Sequence, residues 1–382
     1  MPDGARRLRV LMSADTVGGV WDYALELARQ CSGLGVDVVL ATMGRLPSAL
    51  QQRAAAQIPR LLLHASPCKL EWMPDAGDEP LQAGEWLLQL EERYAPDIVH
   101  LNGYFHAVLP WRAPCLVVAH SCVLSWWQAV KGTSAPAQWQ GYAERVRQGL
   151  HCASRVVFPT AALRSSLEAL YGRLPRATVI RNGRDPGQYR PARKENHIFT
   201  AGRFWDEGKN LSALSHIAAD LPWPVYAAGE WRCPNGGGVR PAQVEFLGCL
   251  SPDEMRGRLG RAAIYALPAR YEPFGLSILE AALSGCVLVL GDLPTLHELW
   301  DGAALFVPPD DHNRLRTTLR ALIAHPAWRQ SLADAARERA LHYSAATMAA
   351  AYVSVYHDLL HPRQQTGTAF CRSRQAAQPV EF

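Results

Sequence analysis

Short apolar runs alternate with stretches of helical periodicity along most of the chain. Seven aliphatic or β-branched runs precede residue 184: "LRVLMSA", "VDVVLAT", "RLLLHA", "DIVHLNG", "CLVVAHS", "RVVFPT" and "ATVIRNG". Amphipathic stretches such as "WDYALELARQCSGLG" separate most of them. Strands that are apolar throughout, with helices between them, are typical of a parallel sheet covered on both faces. The pattern therefore predicts an α/β domain with a doubly wound parallel sheet.

The pattern stops at "RDPGQYRPARKEN", residues 184–196, which is polar and contains two prolines. Six further apolar runs follow: "HIFTAGR", "PVYAAGE", "VEFLGC", "AIYALPA", "VLVLGD" and "ALFVPP". Because 382 residues are too many for one comfortable core, we expect two domains. We place one Rossmann-like domain at residues 1–185 and another at 196–343, with a cleft between them. We expect the helix of residues 345–361 to pack back on the first domain and the aperiodic tail 362–382 to be disordered.

Composition narrows the class of protein. The chain is 48% hydrophobic and 19% charged, and its modest net charge of +4 does not argue for nucleic acid as a partner. Nine cysteines without a C-x-x-C pair are typical of reduced thiols in a cytosolic protein. The apolar run near the start is interrupted by Asp15, and no run reaches the ~20 residues that span a bilayer. We therefore expect a cytoplasmic protein, with peripheral contact at the inner face of the membrane left open.

The stretch "YEPFGLSILEAALSGC", residues 271–286, has two glutamates eight positions apart, with a proline and a glycine between them. The residue before a proline is pushed to extended conformations, which predicts a loop at Glu272 and a helix that begins at Pro273. The first free N–H groups of that helix are then those of Phe274, Gly275 and Leu276. Since such a helix end favours an anion, above all a phosphate, we predict an anion site here. Glu280 either lies at the surface or turns into the cleft to accept hydrogen bonds from hydroxyls.

Other polar or glycine-rich features follow directly after predicted strands, where open parallel sheets bind their ligands. They are Gly18 and Gly19 in "DTVGGV", His120 in "VAHS", and Arg203 and Lys209 in "GRFWDEGKN". Two cations opposite a helix N-terminus form a clamp for a diphosphate without a metal ion. Each feature also has a plainer explanation: a turn for the glycines, a core position for the histidine, and pairing with Asp206 and Glu207 for the cations. The nicotinamide and P-loop fingerprints are absent from the sequence.

Taken together, these motifs resemble those of the family 4 glycosyltransferases, which are retaining enzymes with the GT-B fold. "EPFGLSILEAALSGC" is similar to the family's E-x7-E signature and "GRFWDEGKN" to its Arg and Lys pair, while "DTVGGV", the histidine of "VAHS" and "VIRNGRD" match in type and order. The resemblance extends to about His361. It implies transfer of a sugar from a nucleotide-diphosphate sugar to an acceptor hydroxyl with retention, without cofactor or metal. The implied acceptor is a carbohydrate, a lipid-linked molecule or a small molecule.

The resemblance implies catalytic roles for His120, Arg203, Lys209 and Glu272. Arg203 and Lys209 bind the donor diphosphate and stabilise the charge on the leaving nucleotide. Glu272 holds hydroxyls of the transferred sugar, and His120 contacts the sugar near the reacting centre. No metal ligand is implied.

Donor binding is implied for a wider set of residues: Gly18, Gly19, Arg203, Lys209, Glu272, Phe274, Gly275, Leu276 and Glu280. Within this set, backbone N–H groups at the helix start hold the phosphates, and Glu280 accepts hydrogen bonds from the ribose hydroxyls. Acceptor recognition is expected in the first domain, around "SWWQAVKG", residues 125–132. Arg184 departs from the family, which usually carries a small apolar residue at that position.

Two alternative functions stay open at the level of the sequence. A nucleotide-sugar epimerase of the same fold would interconvert donor sugars without an acceptor. A non-catalytic nucleotide-sugar-binding partner protein would bind the donor and neither transfer nor hydrolyse it. No residue on the first-domain side presents itself as a nucleophile, which favours attack on the face from which the nucleotide departs.

Overall fold

The first domain is built on a seven-stranded sheet. The computed structural model describes residues 7–73, 76–232 and 242–362. Its first seven strands are β1 Leu8–Asp15, β2 Val36–Met43, β3 Leu61–Ala65, β4 Ile98–Leu101, β5 Cys115–Val118, β6 Arg155–Phe158 and β7 Ala177–Val179. All neighbours are parallel, in the order β3-β2-β1-β4-β5-β6-β7. Each predicted apolar run of this region holds one strand, which confirms the predicted parallel sheet.

Helices cover both faces of this sheet. They are α1 Gly19–Gly33, α2 Ala49–Ala56, α3 Glu79–Tyr94, α4 Val123–Lys131, α5 Gln140–Cys152 and α6 Ala161–Tyr171. In α1, Trp21, Leu25 and Ala28 recur at helical spacing and are all buried against the sheet. Along β1, Val10 packs into that same apolar cluster, whereas its neighbour Leu11 packs into a second one. The continuous apolar strands therefore reflect a sheet that is buried on two sides.

The second domain repeats this architecture with six strands. They are β8 Glu195–Ala201, β9 Val225–Ala228, β10 Glu245–Gly248, β11 Ala262–Leu267, β12 Val287–Gly291 and β13 Leu305–Val307, all parallel in the order β10-β9-β8-β11-β12-β13. The helices are α7 Leu211–Ile217, α8 Pro252–Arg261, α9 Leu276–Leu283, α10 Pro294–Trp300, α11 His312–Ala324 and α12 Pro326–Leu341. The six predicted runs again hold one strand each. No helix in the described part of the chain combines the length and apolarity needed to cross a bilayer.

The chain crosses between the domains twice, and the two crossings run side by side. The backbone N–H of Arg184 donates to Tyr343 at 3.1 Å, and the N–H of Ala345 donates back to the Arg184 carbonyl at 2.9 Å. A Cβ at Gly183 would lie 2.2 Å from the Ser344 carbonyl oxygen, so only glycine permits this approach. The junction is therefore a paired, two-stranded connection.

After the second crossing, helix α13, Ala345–Leu360, packs against α1 of the first domain. Its Tyr352 and Tyr356 are fully buried, and the Tyr356 hydroxyl lies 2.7 Å from Nδ1 of His100 in β4. Helix α13 thus completes the core of the first domain. The tail predicted to be disordered lies outside the described residues from position 363 onward.

Helix α9 begins at Leu276, three residues later than the sequence predicted. Gly275 has φ 85° and ψ 70°, a left-handed conformation that cannot belong to the helix. A Cβ at this position would lie 2.5 Å from Cδ1 of Ile278, so the turn requires glycine. The prediction weighed the preference of proline for a helix start and missed the stronger constraint at Gly275. The free N–H groups at the start of α9 are accordingly those of Leu276 and Ser277.

Candidate functional site

The carboxyl ends of the two sheets face each other across a cleft of about 1420 Å³. This is larger than the ~300–1,000 Å³ of a typical small-molecule pocket, and it offers room for two substrates. All the residues selected from the sequence line this cleft: Gly18, Gly19, His120, Arg203, Lys209, Glu272, Phe274, Gly275, Leu276 and Glu280. The structure thus brings together residues that are up to 262 positions apart in the chain. Their individual roles stay predictions.

Lys209 and Glu272 form an ion pair beside the start of α9. Lys209 Nζ lies 2.7 Å from Glu272 Oε2, and the side chains are only 15% and 9% exposed. The loop that carries Glu272 is fixed from behind, because Thr295 Oγ1 donates to the Glu272 carbonyl at 2.6 Å. An ammonium group has three donors, so one bond to Glu272 leaves two for a phosphate. Phe274, by contrast, is buried and packs its ring against Tyr343 in the core.

Arg203 reaches across the cleft from the end of β8 to the glycine-containing loop of the first domain. Its Nη1 donates to the Val17 carbonyl at 3.3 Å, and its guanidinium lies 5.4 Å from the ring of Trp205. A Cβ on Gly18 would lie 3.0 Å from the same Nη1. The backbone of Gly18, with φ 86° and ψ −150°, therefore makes room for the arginine as well as for a turn.

The plainer explanation required Arg203 and Lys209 to pair with the acidic residues that lie between them in the sequence. Neither cation does so. Asp206 accepts from Trp126 Nε1 at 2.8 Å, and Glu207 lies 2.6 Å from Lys131 Nζ. Both partners belong to helix α4, in the stretch expected to recognise the acceptor. This end of α4 thus joins the two domains at the cleft, and the cations of the second domain face the cleft without competition from Asp206 or Glu207.

His120 follows β5 and is held in one tautomer. Its Nε2 lies 2.7 Å from Asn102 Oδ1, while the Asn102 amide group donates to the Ser13 carbonyl at 2.7 Å. Asn102 therefore presents its oxygen to the ring, and Nε2 donates. Burial lowers the pKa of His120 to about 4, so the imidazole is neutral at neutral pH and Nδ1 is an acceptor. The ring also packs edge-on against Tyr23, at 4.7 Å between centroids. His120 therefore contacts the core and lines the cleft at the same time.

Glu280 turns into the cleft, where Arg184 binds it. Arg184 Nε donates to Glu280 Oε1 at 2.7 Å, and the side chains are 6% and 14% exposed. Arg184 Nη1 also donates to the Asp22 carbonyl of α1 at 3.2 Å. The residue that departs from the family pattern thus links the domain junction to the second glutamate of the E-x7-E motif.

Two family models match consecutive parts of the chain. The model described as Glycosyltransferase Family 4 matches residues 17–188, and the model described as Glycosyl transferases group 1 matches residues 195–325. Together they span parts of both domains, including every described strand except β1. The chain is a glycosyltransferase of the family 4 type. This glycosyltransferase is 25% identical over 384 residues to a glycogen synthase of Mycobacterium tuberculosis (strain CDC 1551 / Oshkosh), with 89% of this chain and 91% of the relative covered.

Solved structures share the fold of this glycosyltransferase at low identity. Sucrose-phosphate synthase from Thermosynechococcus elongatus has a TM-score of 0.77 and 18% identity, covering 94% of this chain and 100% of its own. HepE from Anabaena, in complex with UDP and glucose, has a TM-score of 0.72 and 15% identity, covering 92% of this chain and 100% of its own. These likenesses concern the fold, and they confirm the predicted GT-B class.

Sequence reasoning missed the carboxylates on the first-domain side of the glycosyltransferase cleft, among them Asp15 and Glu71. Asp15 is the last residue of β1 and the first of the motif "DTVGGV", in which only the two glycines were predicted to be site residues. Desolvation raises the pKa of Asp15 to about 6, against the opposing effect of Arg203. Glu71 lies in the irregular segment after β3, and no local pattern marks it. The premise that no nucleophile candidate stands on this side is therefore wrong.

Proposed function

We propose that this enzyme transfers a glycosyl group from a nucleoside-diphosphate sugar to an acceptor hydroxyl, with retention and without a metal ion. The observation that carries the proposal is the convergence of Lys209, Arg203 and the free N–H groups of α9 on one cleft. A diphosphate needs charge-assisted hydrogen bonds on several oxygens, and these three groups supply them from different directions.

The leaving group decides what the enzyme has to do. A glycosyl diphosphate leaves as a nucleoside diphosphate, so negative charge grows on the phosphate that departs. Lys209 and Arg203 neutralise that charge, and the N–H groups of Leu276 and Ser277 bind the oxygens at the helix N-terminus. Because these donors are fixed before the reaction, they stabilise the transition state without reorganising.

The sugar lies between Glu272 and His120 in this proposal. Glu272 Oε2 accepts from Lys209, which leaves Oε1 to accept a hydrogen bond from a sugar hydroxyl. The neutral His120 accepts at Nδ1 from another hydroxyl and does not add a positive charge near the reacting carbon. Attack by the acceptor on the face from which the phosphate departs accounts for retention. Retention is proposed here on the basis of the family. A lack of first-domain carboxylates does not support it, because Asp15 and Glu71 line that side of the cleft.

Proteins similar to this chain support a sugar-nucleotide donor. HepE was solved with UDP-glucose, and relatives over shorter stretches are named mannosyltransferases. Glu280, fixed by Arg184, is positioned to accept hydrogen bonds from the ribose hydroxyls of such a donor. The relative named glycogen synthase adds a polysaccharide to the range of acceptors worth testing.

Thermal unfolding with nucleoside diphosphates tests the proposal. We expect one of UDP, GDP, ADP and dTDP to raise the unfolding temperature, equally with and without EDTA. A ligand at 100 times its dissociation constant adds about 2.7 kcal/mol to the free energy of unfolding, which is readily measured. The matching diphosphate sugars are then assayed for transfer and for slow hydrolysis without acceptor. No stabilisation by any diphosphate, or stabilisation lost in EDTA, contradicts the proposal.

A further inference from the structure

The first-domain wall of the cleft contains a buried carboxylate oxygen that lacks a donor. Glu71 is 7% exposed, and its Oε1 accepts from the backbone N–H of Tyr104 at 3.0 Å. Its Oε2 is buried and has no hydrogen-bond partner within the described ranges. Leaving such an oxygen unpaired costs free energy, so a persistent unpaired oxygen in a ligand cleft points to a donor that arrives with the ligand.

An unpaired donor lies on the same wall. Trp139 Nε1 is buried and likewise has no acceptor among the residues that the structure describes. The Trp139 ring packs edge-on against Tyr142, at 5.7 Å between centroids, and Tyr142 shares an apolar cluster with Tyr104, which binds Glu71. Glu71 and Trp139 both line the cleft. Among the unpaired buried polar atoms of this wall, Glu71 Oε2 and Trp139 Nε1 are an acceptor and a donor held by neighbouring aromatic residues.

The charge of this wall selects against an anionic ligand. Asp15 and Glu71 are both acidic, and none of the ion pairs between described residues includes either of them. Of the cations nearest to Asp15, Arg45 Nη1 lies 3.2 Å from Glu230, and Arg203 is assigned to the donor phosphates in the proposed function. A phosphate or carboxylate at this wall would meet two carboxylates and little free positive charge.

A hydroxyl group fits both unmatched atoms, because it donates to a carboxylate and accepts from an indole N–H. Sugars carry several hydroxyls and an apolar ring face. The rings of Trp72 and Trp139 line the cleft and offer apolar surface to such a face. A phosphate accepts from an indole N–H but has no proton for Glu71 and is repelled by it, and an ammonium group donates to Glu71 but cannot accept from Trp139. The chemistry of the wall is thus that of an uncharged carbohydrate site.

We propose that Glu71 and Trp139 form the acceptor subsite, and that the acceptor is an uncharged carbohydrate. One sugar hydroxyl donates to Glu71 Oε2, and another accepts from Trp139 Nε1. This inference deepens the proposed function and rests on it, since it names the acceptor class for the same cleft. It also moves acceptor recognition away from the stretch 125–132, whose Trp126 is bound to Asp206.

Binding of defined sugars to the full chain tests the subsite. Maltotriose and methyl α-mannoside serve as uncharged probes and glucose 6-phosphate as a charged one, followed by tryptophan fluorescence and calorimetry. We expect an uncharged sugar to bind the wild type. Glu71→Gln keeps the volume and removes a charged hydrogen bond, so it weakens this binding about 10- to 100-fold. Trp139→Phe keeps an aromatic ring and removes the N–H, so it weakens binding about threefold to tenfold.

Matched controls separate binding from folding. Glu85→Gln changes an exposed glutamate of α3, and Trp328→Phe changes an exposed tryptophan of α12; neither should alter sugar binding. Thermal unfolding checks each variant, and Trp139→Phe decides the question if Glu71→Gln does not fold. Sugar binding by both cleft variants at wild-type strength overturns the proposal. Tighter binding of glucose 6-phosphate than of the uncharged sugars, or no binding of either uncharged sugar by folded wild type, overturns it too.

Nucleoside-diphosphate binding is measured on the same samples, so the two proposals can fail separately. Wild-type binding of a diphosphate by Glu71→Gln, together with weakened sugar binding, supports both. Diphosphate binding without any sugar binding contradicts the acceptor subsite alone. Sugar binding that depends on Glu71, without binding of any diphosphate, contradicts the transferase proposal and leaves an uncharged sugar site.

Discussion

The two walls of the cleft treat their charged groups in opposite ways. On the second-domain wall, Lys209 lies 2.7 Å from Glu272, and Glu280 is bound by Arg184 at the same distance. On the first-domain wall, Asp15 and Glu71 take part in none of the ion pairs of the described chain. Both glutamates of the E-x7-E motif on the second-domain wall are thus paired before any ligand arrives, whereas Asp15 and Glu71 on the first-domain wall are not.

This difference indicates what each wall binds. Fixed cations and N–H groups are preorganised for a phosphate, whose charge is present from the start and grows in the transition state. Unpaired carboxylates are costly when buried, and desolvation accordingly raises the pKa of Asp15 to about 6. Such groups suit hydroxyls, which bring the missing donors. The comparison thus supports the proposed placement of the donor phosphates at one wall and the acceptor hydroxyls at the other.

The largest expected effect comes from removing Lys209, the cation paired with Glu272 on the second-domain wall. Lys209→Ala is expected to lower turnover about 1000-fold, because a preorganised group that stabilises the leaving phosphate is lost. Its unfolding temperature should also fall, because Glu272 is left unpaired and nearly buried. Activity is therefore measured well below that temperature, with circular dichroism as a check of folding. Wild-type turnover by the folded variant contradicts the donor assignment.

Lys131→Ala is the matched control for Lys209→Ala. Lys131 Nζ lies 2.6 Å from Glu207 across the two domains, whereas Lys209 and Glu272 both belong to the second domain, and the Lys131 and Glu207 side chains are 34% and 60% exposed. An exposed pair contributes about 0–1 kcal/mol, so turnover should stay within about fivefold of wild type. Equal losses in the two lysine variants would mean that the loss of an ion pair, and not of a phosphate-binding cation, explains the effect.

Much of this architecture was predictable because it depends on local pattern. All the strands of both sheets follow from apolar runs bounded by polar or glycine residues. The cleft followed from one rule, since residues placed directly after parallel strands meet at one edge of the sheet. That rule collected His120, Arg203 and Lys209 without any knowledge of their contacts. The start of α9 was missed because a single left-handed glycine, Gly275, outweighed the proline before it.

The partners of the site residues could not be predicted in this way. Arg184 and Glu280 are 96 positions apart, and Glu71 and Tyr104 are 33 apart. Local periodicity carries no information on such pairs, which arise only when the chain crosses between domains or when a loop folds over a sheet. Arg184 was visible in the sequence as a departure from the family, but its function as the partner of Glu280 was not.

The ion pair between Arg184 and Glu280 provides a second test of this comparison, with a smaller expected effect. Arg184→Met is expected to raise KM for the donor about 10- to 100-fold, because Glu280 loses the charged hydrogen bond that orients it. kcat should change little, since Arg184 acts through Glu280 and not on the phosphates. In a double-mutant cycle with Glu280→Gln, the second substitution should add little to the first.

Arg181→Met is the control for Arg184→Met. Arg181 Nη2 lies 3.2 Å from Glu298, and the arginine is about half exposed. This substitution removes a cation three residues from Arg184 and should leave KM for the donor unchanged. A fall in kcat with unchanged KM in Arg184→Met would show instead that the junction, and not the orientation of Glu280, limits the enzyme.

Two adjacent glycines test how closely the walls approach each other. Gly18 has φ 86° and ψ −150°, and a Cβ there would lie 3.0 Å from Arg203 Nη1. Gly18→Ala is therefore expected to lower the free energy of unfolding by about 1–3 kcal/mol. A Cβ on Gly19 would lie 3.5 Å from Leu276 Cδ1, an ordinary contact, so Gly19→Ala should leave the free energy of unfolding unchanged.

The two glycine variants should differ again in donor binding, measured by calorimetry with the diphosphate that stabilises the wild type. The added methyl group of Gly19→Ala lies toward Leu276, whose N–H is assigned to the phosphates. Overpacking costs about 1–3 kcal/mol, and at the low end of that range diphosphate binding weakens about fivefold. Wild-type affinity in Gly19→Ala would mean that the donor phosphates do not pass between Gly19 and Leu276. They would then be held by the second-domain wall alone, and the first-domain loop would serve to position Arg203.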